Sequence, residues 1–367
     1  MSIDFNKYLQ HQVYLERLAT GSINKQTLPS LEEIKKEVSK IIATYGDKVT
    51  KKQLSSMVAD IRTEILKAND WDGVTDDMLQ MALYESSYHT ALLDSGLGLT
   101  LSTPKNDTVE SFVKTSLMSL DSGSRVDSGV WAQFVRGNND SRVDVINGIV
   151  KGGYADGLSS GQIIKRVKDS VDGILTREAE ALVRTGFSHY ASKAREAMHM
   201  ANKDVLDYYY YVVTFDNRTT PICINANLKW NNEVYAVGEP APNPPLHWRC
   251  RTTRIAVPKG WKPETEKAAI GGVDTEKAEK KFSKRDAKGK KVKYRGRKDS
   301  DTFKAGTIKA STGYNTWLKK QPRWFVDDVL GKKRAELFLD KNQPLGSFYD
   351  MTGRQLTLKE LAERDKK

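Results

Sequence analysis

Asp216-Asn-Arg-Thr-Thr-Pro-Ile-Cys223, answered further on by Pro244-Pro-Leu-His247-Trp-Arg-Cys250-Arg251, holds both cysteines of the chain and one of its five histidines. The turn-forming residues between the two halves let the segment fold back, so that two thiols and an imidazole converge. Just before it, Tyr208-Tyr-Tyr-Tyr-Val-Val-Thr-Phe215 is aromatic and β-branched and reads as a strand ended by Asp216-Asn217. Just after it, Thr252 to Val257 reads as another strand, stopped by Pro258. A further strand pair is expected at Leu228–Trp230 and Val234–Val237, around Asn231-Asn232.

Outward from this small sheet the period becomes helical. A helix starting around Gly157 to Ser160 carries Ile163, Ile164 and Val167. A long helix from about Thr176 to Asn202 shows a small-residue face of Ala179, Leu182, Val183, Ala191 and Ala194, suited to close helix packing. On it, His189 and His199 read as surface or satisfied core histidines. In the first third, Ser30 and Glu33 spell a capping box ahead of Leu31, Ile34, Val38 and Ile42, with Gly46 as the stop. Thr50 and Gln53 repeat the device ahead of Leu54, Val58, Ile61 and Ile65, and a third periodic run goes from Met78 to Gly96. Asp121-Ser-Gly-Ser and Gly137-Asn-Asn-Asp140 have loop composition. Beyond a basic stretch, Trp317, Leu318, Trp324, Leu330, Leu337 and Phe338 suffice for a compact helical unit with Pro322 at a helix start and Gly331 at a stop, and Thr357 with Glu360 boxes a last helix. The fold class is mainly α with a small antiparallel β-sheet (α+β). The division expected is a helical region at 1–156, an α+β core at 157–262, a basic linker at 263–310 and a helical appendage at 311–367.

With 367 residues the chain is long enough for two or three structural units. Its start lacks the pattern of a signal peptide and no apolar run is long enough for a membrane span, so synthesis and folding in a cytoplasm are expected. Two cysteines exclude a disulfide framework. Of the net charge of +12, Lys277 to Lys298 supply +10, with twelve Lys or Arg against Glu279 and Asp286. A polyanion contact therefore belongs to this segment, on Lys280, Lys281, Lys284, Arg285, Lys288, Lys290, Lys291, Lys293, Arg295, Arg297 and Lys298; the alternative is a solvated, self-repelling linker.

Cys223, His247 and Cys250, with Asp216 as a fourth oxygen ligand or water in the open place, make a candidate zinc set, and three protein ligands plus water is also a catalytic arrangement. A metal-dependent nucleic-acid hydrolase is thus the alternative function, although no Glu stands in a general-base position beside a ligand. A cysteine nucleophile with His247 as base lacks a nameable oxyanion hole. The reading preferred is structural, with no catalytic residue and no cofactor: Asp216 forms an Asx-turn and pairs with Arg218 or Arg251, while His247 hydrogen-bonds the loop.

Taken together, Thr176-Arg177 and Arg184-Thr185 on a long helix, then Asp216-x-Arg218-Thr219-x-x-x-Cys223, then Pro244-Pro-Leu-His247-x-x-Cys250-Arg251, resemble the head-morphogenesis family of tailed phages, the Mu F-type minor head proteins. Trp317-Leu-Lys-Lys-Gln-Pro, the run from Val329 to Phe338 and that from Gly353 to Leu361 are similar to segments that close many members, so the likeness extends from about Gly157 to Leu361. Many relatives carry Cys at the places of Thr220 and Thr252, and Glu where this chain has Gly186. The resemblance implies that Arg184, Thr185, Arg218, Thr219 and Arg251 are structural loop residues. It also implies a minor virion component near the portal vertex of the head, partnered with the portal protein, the major capsid or other head proteins and packaged double-stranded DNA, and acting in head assembly or genome delivery.

Overall fold

The computed structural model of the protein describes residues 3, 5–68, 71–121, 126–230, 235–262, 266–272, 303–309, 311–349 and 355–364. Helices α1 (Phe5–Ser22) and α2 (Leu28–Tyr45) form one rod joined by a π-turn at Ile23–Thr27. The expected start at Ser30 is therefore corrected. Pro29 has no N–H to donate, and the wider π-turn just upstream, with Leu28 N bonded to Ile23 O, absorbs that loss without ending the helix. Ser30 Oγ instead donates to Ala68 O at 2.7 Å, tying α2 to the end of α3 (Lys51–Ala68). The Thr50–Gln53 box does form, with Gln53 N on Thr50 Oγ1 and Thr50 N on Gln53 Oε1.

Helix α4 (Asp72–Leu97) closes at Gly98, in the left-handed region at φ 63°, two residues later than Gly96. After α5 (Asn106–Thr115), β1 (Met118–Asp121) and β2 (Val126–Gly129) pair antiparallel. Helix α6 (Trp131–Ala155) runs straight through Gly137–Asp140, read as a loop from its composition. Buried Trp131 on one side and Val143, Ile146 and Val150 on the other anchor the helix across that stretch, and Asn139 Oδ1 accepts from Trp71 Nε1 at 2.8 Å. Helix α7 (Ser160–Ser170), capped by Ser159 and Gln162, passes through a second π-turn at Val171–Leu175 into α8 (Thr176–Ala201).

Helix α8 is the spine. Ala179 belongs to the apolar core shared by α2, α3, α6 and α7; Leu182 to Ala197 supply the core against α1, α4 and α5; Met198 reaches the core around the sheet. That sheet pairs β3 (Tyr208–Val212) with β4 (Thr253–Val257), antiparallel, from Tyr208 opposite Val257 to Val212 opposite Thr253. Among the described residues the strand pair expected at 228–230 and 234–237 is not formed: α9 (Pro221–Asn225) leads into a π-turn at Ala226–Trp230, and Ala236 makes a bridge to Tyr208. Tertiary contacts override β-propensity here, since Trp230 packs on Tyr211 with ring centroids 5.2 Å apart and Asn227 Oδ1 accepts from Tyr314 N at 2.8 Å.

Two strands lie within the expected linker. β5 (Glu266–Gly272) and β6 (Phe303–Lys309) pair antiparallel across thirty intervening residues, and Phe215 bridges to Ala269. The lysines and arginines of 277–298 lie outside the described residues, as does the turn at 351–354. Four further helices, α10 (Tyr314–Leu318), α11 (Arg323–Leu330), α12 (Lys332–Leu339) and α13 (Leu358–Arg364), follow; Gly331 at φ 78° separates α11 from α12, and Thr357 with Glu360 caps α13 as the spacing predicts. Phe215, Tyr314, Trp317 and Phe325 interlock as an aromatic chain, so these helices share the core of β3 and β4. No described helix is long and apolar enough to cross a membrane.

Candidate functional site

The site forms where the 213–223 and 244–254 segments lie against α8. Thr185 Oγ1 donates to Ala181 O at 2.7 Å and accepts from Arg249 N at 2.9 Å. That bond holds the loop on the helix at a residue with φ of 58°, a conformation a non-glycine side chain adopts only under tertiary restraint. Asp216, nearly all buried, accepts from Nη1 and Nη2 of Arg251, at 2.5 and 2.9 Å, and from Arg218 N at 2.8 Å. Thr219 Oγ1 donates to Thr214 O at 2.7 Å, and Asp216 O accepts from Tyr314 Oη at 3.0 Å. Burial alone would raise the Asp216 carboxyl; the Arg251 fork overrides it and leaves the group below the usual carboxylate range. Asp216 thus sits in the Asx-turn and ion pair, apart from the thiols.

Cys223, His247 and Cys250 do converge, with their ligating atoms within 4.8 Å of one another. Cys223 Sγ lies 3.1 Å from His247 Nε2 and 3.8 Å from Cys250 Sγ, and both thiols are free. His247 Nδ1 donates to Trp248 O at 2.8 Å, which turns Nε2 toward the sulfurs, and Thr220 Oγ1 stands 2.9 Å from that nitrogen. Hydrogen bonding to Cys250 and burial push the Cys223 thiol well up. Burial would also raise Cys250, but bonds from Cys223 and His247 hold it well below the ordinary thiol range, and Cys250 in turn raises His247 against the effect of burial. The three groups therefore titrate as a coupled unit.

Zinc held by thiolates at ~2.3 Å in a tetrahedron sets its sulfurs ~3.8 Å apart, so the spacing of the two thiols and the orientation of Nε2 suit three corners of such a site. Thr220 and Thr252 line the same cavity as the cluster, and Thr220 Oγ1 is held within hydrogen-bond distance of His247 Nε2. Hydroxyls are poor zinc ligands, so among the described residues the cluster offers two sulfurs and one nitrogen. At Gly186 on α8 a Cβ would meet Trp131 Cζ3 at 2.6 Å and Met78 Sδ at 2.8 Å, so a larger side chain has no room beside Trp131.

Residues 144–255 match the family model described as Phage Mu protein F like protein. This segment is similar to that phage family. It opens within α6, contains α7, α8, β3 and the whole Cys/His cluster, and closes in β4. The Mu F-like match stops well short of the 317–361 likeness, and it begins before Gly157. No curated protein and no solved structure matches the chain. The match agrees with the head-morphogenesis resemblance over about a third of the chain.

Behind the Mu F-like loop lies a polar network that the sequence reading missed. Glu85 of α4, fully buried, accepts from Arg195 Nε at 2.5 Å and contacts His11 Nε2; Arg195 also reaches Thr253 Oγ1, itself 2.7 Å from Tyr8 Oη. His89 Nε2 lies 3.1 Å from His199 Nε2, which accepts from Ala256 N at 3.3 Å. The signal was present: Glu85 and His89 occupy the apolar stripe of Met78 and Ala82, where a charge must be paired.

Proposed function

We propose that the protein is a non-enzymatic minor head protein of a tailed bacteriophage, situated near the portal vertex, that binds the portal and other head proteins and contacts packaged double-stranded DNA. The observation that carries this reading is the Mu F-like match over α8 and the loop it holds, in which Asp216, Arg251, Thr185 and Thr219 all serve to fix backbone. In this reading the thiols and His247 brace the loop, with no resident metal.

The charge distribution supports the partner assignment. With +10 of the +12 on Lys277 to Lys298, the rest of the chain is nearly neutral and suited to packing on a protein ring, while the basic segment faces DNA. Each phosphate it neutralises contributes a slope of about −0.9 in log K against log salt, so binding is steep in salt and blind to sequence. Deleting 277–298 is expected to abolish most DNA retention and flatten that slope while leaving co-purification with the portal ring intact. Unchanged affinity and slope would make the segment a linker, and failure to co-purify with any head protein would remove the assembly role. Stoichiometric zinc together with nucleic-acid hydrolysis lost in Cys250→Ala would replace this reading with an enzymatic one.

A further inference from the structure

Between α1, α8 and the loop segments around Thr219 and Arg251 lies a cavity of about 790 Å³, with the Cys223–His247–Cys250 cluster in its wall. That volume falls within the ~300–1,000 Å³ of small-molecule sites. Its charged lining is one-sided: Arg184, Arg195, Arg218, Arg249 and Arg251 against Glu16. Arg195 is committed to Glu85 and Arg251 to Asp216, and Arg249 bonds Arg177 O with Glu180 3.9 Å away. Arg184 and Arg218 differ. Arg184 donates to the neutral Thr20 Oγ1 at 3.1 Å, and among the described residues neither guanidinium has a carboxylate within ion-pair distance. Arg184 is carried on α8 and Arg218 on the loop after β3, and Ser188 and Thr220 also line the cavity.

We propose that this cavity binds a phosphate-bearing anion, either a free nucleotide or the terminal phosphate of a nucleic-acid strand. Guanidinium is the side chain whose planar fork matches phosphate oxygens, and two forks without acidic partners lose least on engaging one. A site of this size admits one nucleotide or a strand end and excludes a duplex, so the contact is separate from any made by residues 277–298. The inference goes beyond the head-assembly reading and does not depend on it.

The test uses the full chain and titrates it calorimetrically with inorganic pyrophosphate, with ADP, and with a short single-stranded oligodeoxynucleotide bearing either a 5′-phosphate or a 5′-hydroxyl. In R184Q/R218Q affinity should fall at least about ten-fold, whereas K48Q/K52Q, which removes the same charge from the α2–α3 connection and the first turn of α3, outside the cavity lining, should bind as the parent does. Arg218→Gln alone changes an exposed side chain and keeps the test valid should the double variant unfold. Tight ADP or pyrophosphate binding identifies a free nucleotide as the source; a preference for the 5′-phosphorylated strand identifies a strand end. No binding of any of these probes, or equal weakening in the two double variants, overturns the proposal.

Discussion

Asp216 stays ionised in a buried position because Arg251 and the Arg218 amide meet its oxygens, and its removal would leave the guanidinium without its partner. Since about a third of the Arg251 side chain is exposed, water recovers part of that loss, and Asp216→Asn is expected to cost about 2 kcal/mol by urea unfolding at pH 7. The folded carboxyl titrates below its unfolded value, so this advantage over the variant is complete above ~4 and disappears as pH falls through the folded value. The buried histidines act in a higher window. Burial first, then nearby charge, holds His89 and His199 well below the ordinary imidazole value, and burial brings His189 to about 3. Below ~6.5 the unfolded chain binds protons that these neutral imidazoles refuse, so stability should fall on acidification by up to ~1.4 kcal/mol per pH unit for each group. Urea midpoints that stay constant between pH 7 and pH 5 would contradict this. Of the site residues, the convergence of Cys223, His247 and Cys250 was legible in their spacing, whereas the partner of Asp216 was narrowed only to Arg218 or Arg251. Which arginine reaches a carboxylate depends on the path of a loop, which local sequence does not specify.

At the scale of elements, α8 was visible from its small-residue face, and what those residues permit is the approach of α4 and α6. Gly186 shows it best. Gly186→Ala forces the methyl against Trp131 and Met78 and is expected to destabilise the protein by about 1–3 kcal/mol, whereas Gly148→Ala on α6, with open space around it, should be neutral or stabilising by up to about 1 kcal/mol. Thermal unfolding of the two variants with matched far-UV spectra separates packing from helix propensity; equal shifts would remove the packing argument. The π-turns at Ile23–Thr27 and Val171–Leu175 were not legible, because Pro29 and Gly173 read as helix punctuation when their neighbours in space are unknown. Burial of Ile23 and Leu175 on either side keeps each rod continuous.

At the scale of the whole molecule, one core joins Ile3 and Tyr8, the strands β3 and β4, and Trp317, Phe325 and Phe338, so regions far apart in sequence depend on one another. A chain ended after residue 310 would expose Phe215, whose ring packs on Tyr314 and Trp317, and it is expected to lose the cooperative unfolding transition of the full chain rather than merely soften it. Calorimetry decides this: a truncated chain that unfolds in a sharp transition at the parental temperature would mean that the last four helices are a separate unit.

By itself the sequence determined the helical period of most of the chain, the caps at Thr50 and Thr357, the β3 and β4 strands, the position of the excess charge and the meeting of two thiols with an imidazole, because each depends on neighbours a few residues apart or on a turn between them. Tertiary structure alone decided that helix α6 would run through an asparagine-rich stretch, that 226–230 would wind rather than extend, that β5 would find β6, and that Glu85 would meet Arg195. Each of these is fixed by burial against residues remote in the chain, and the free energy of such contacts exceeds the fraction of a kcal/mol per residue by which local preferences differ.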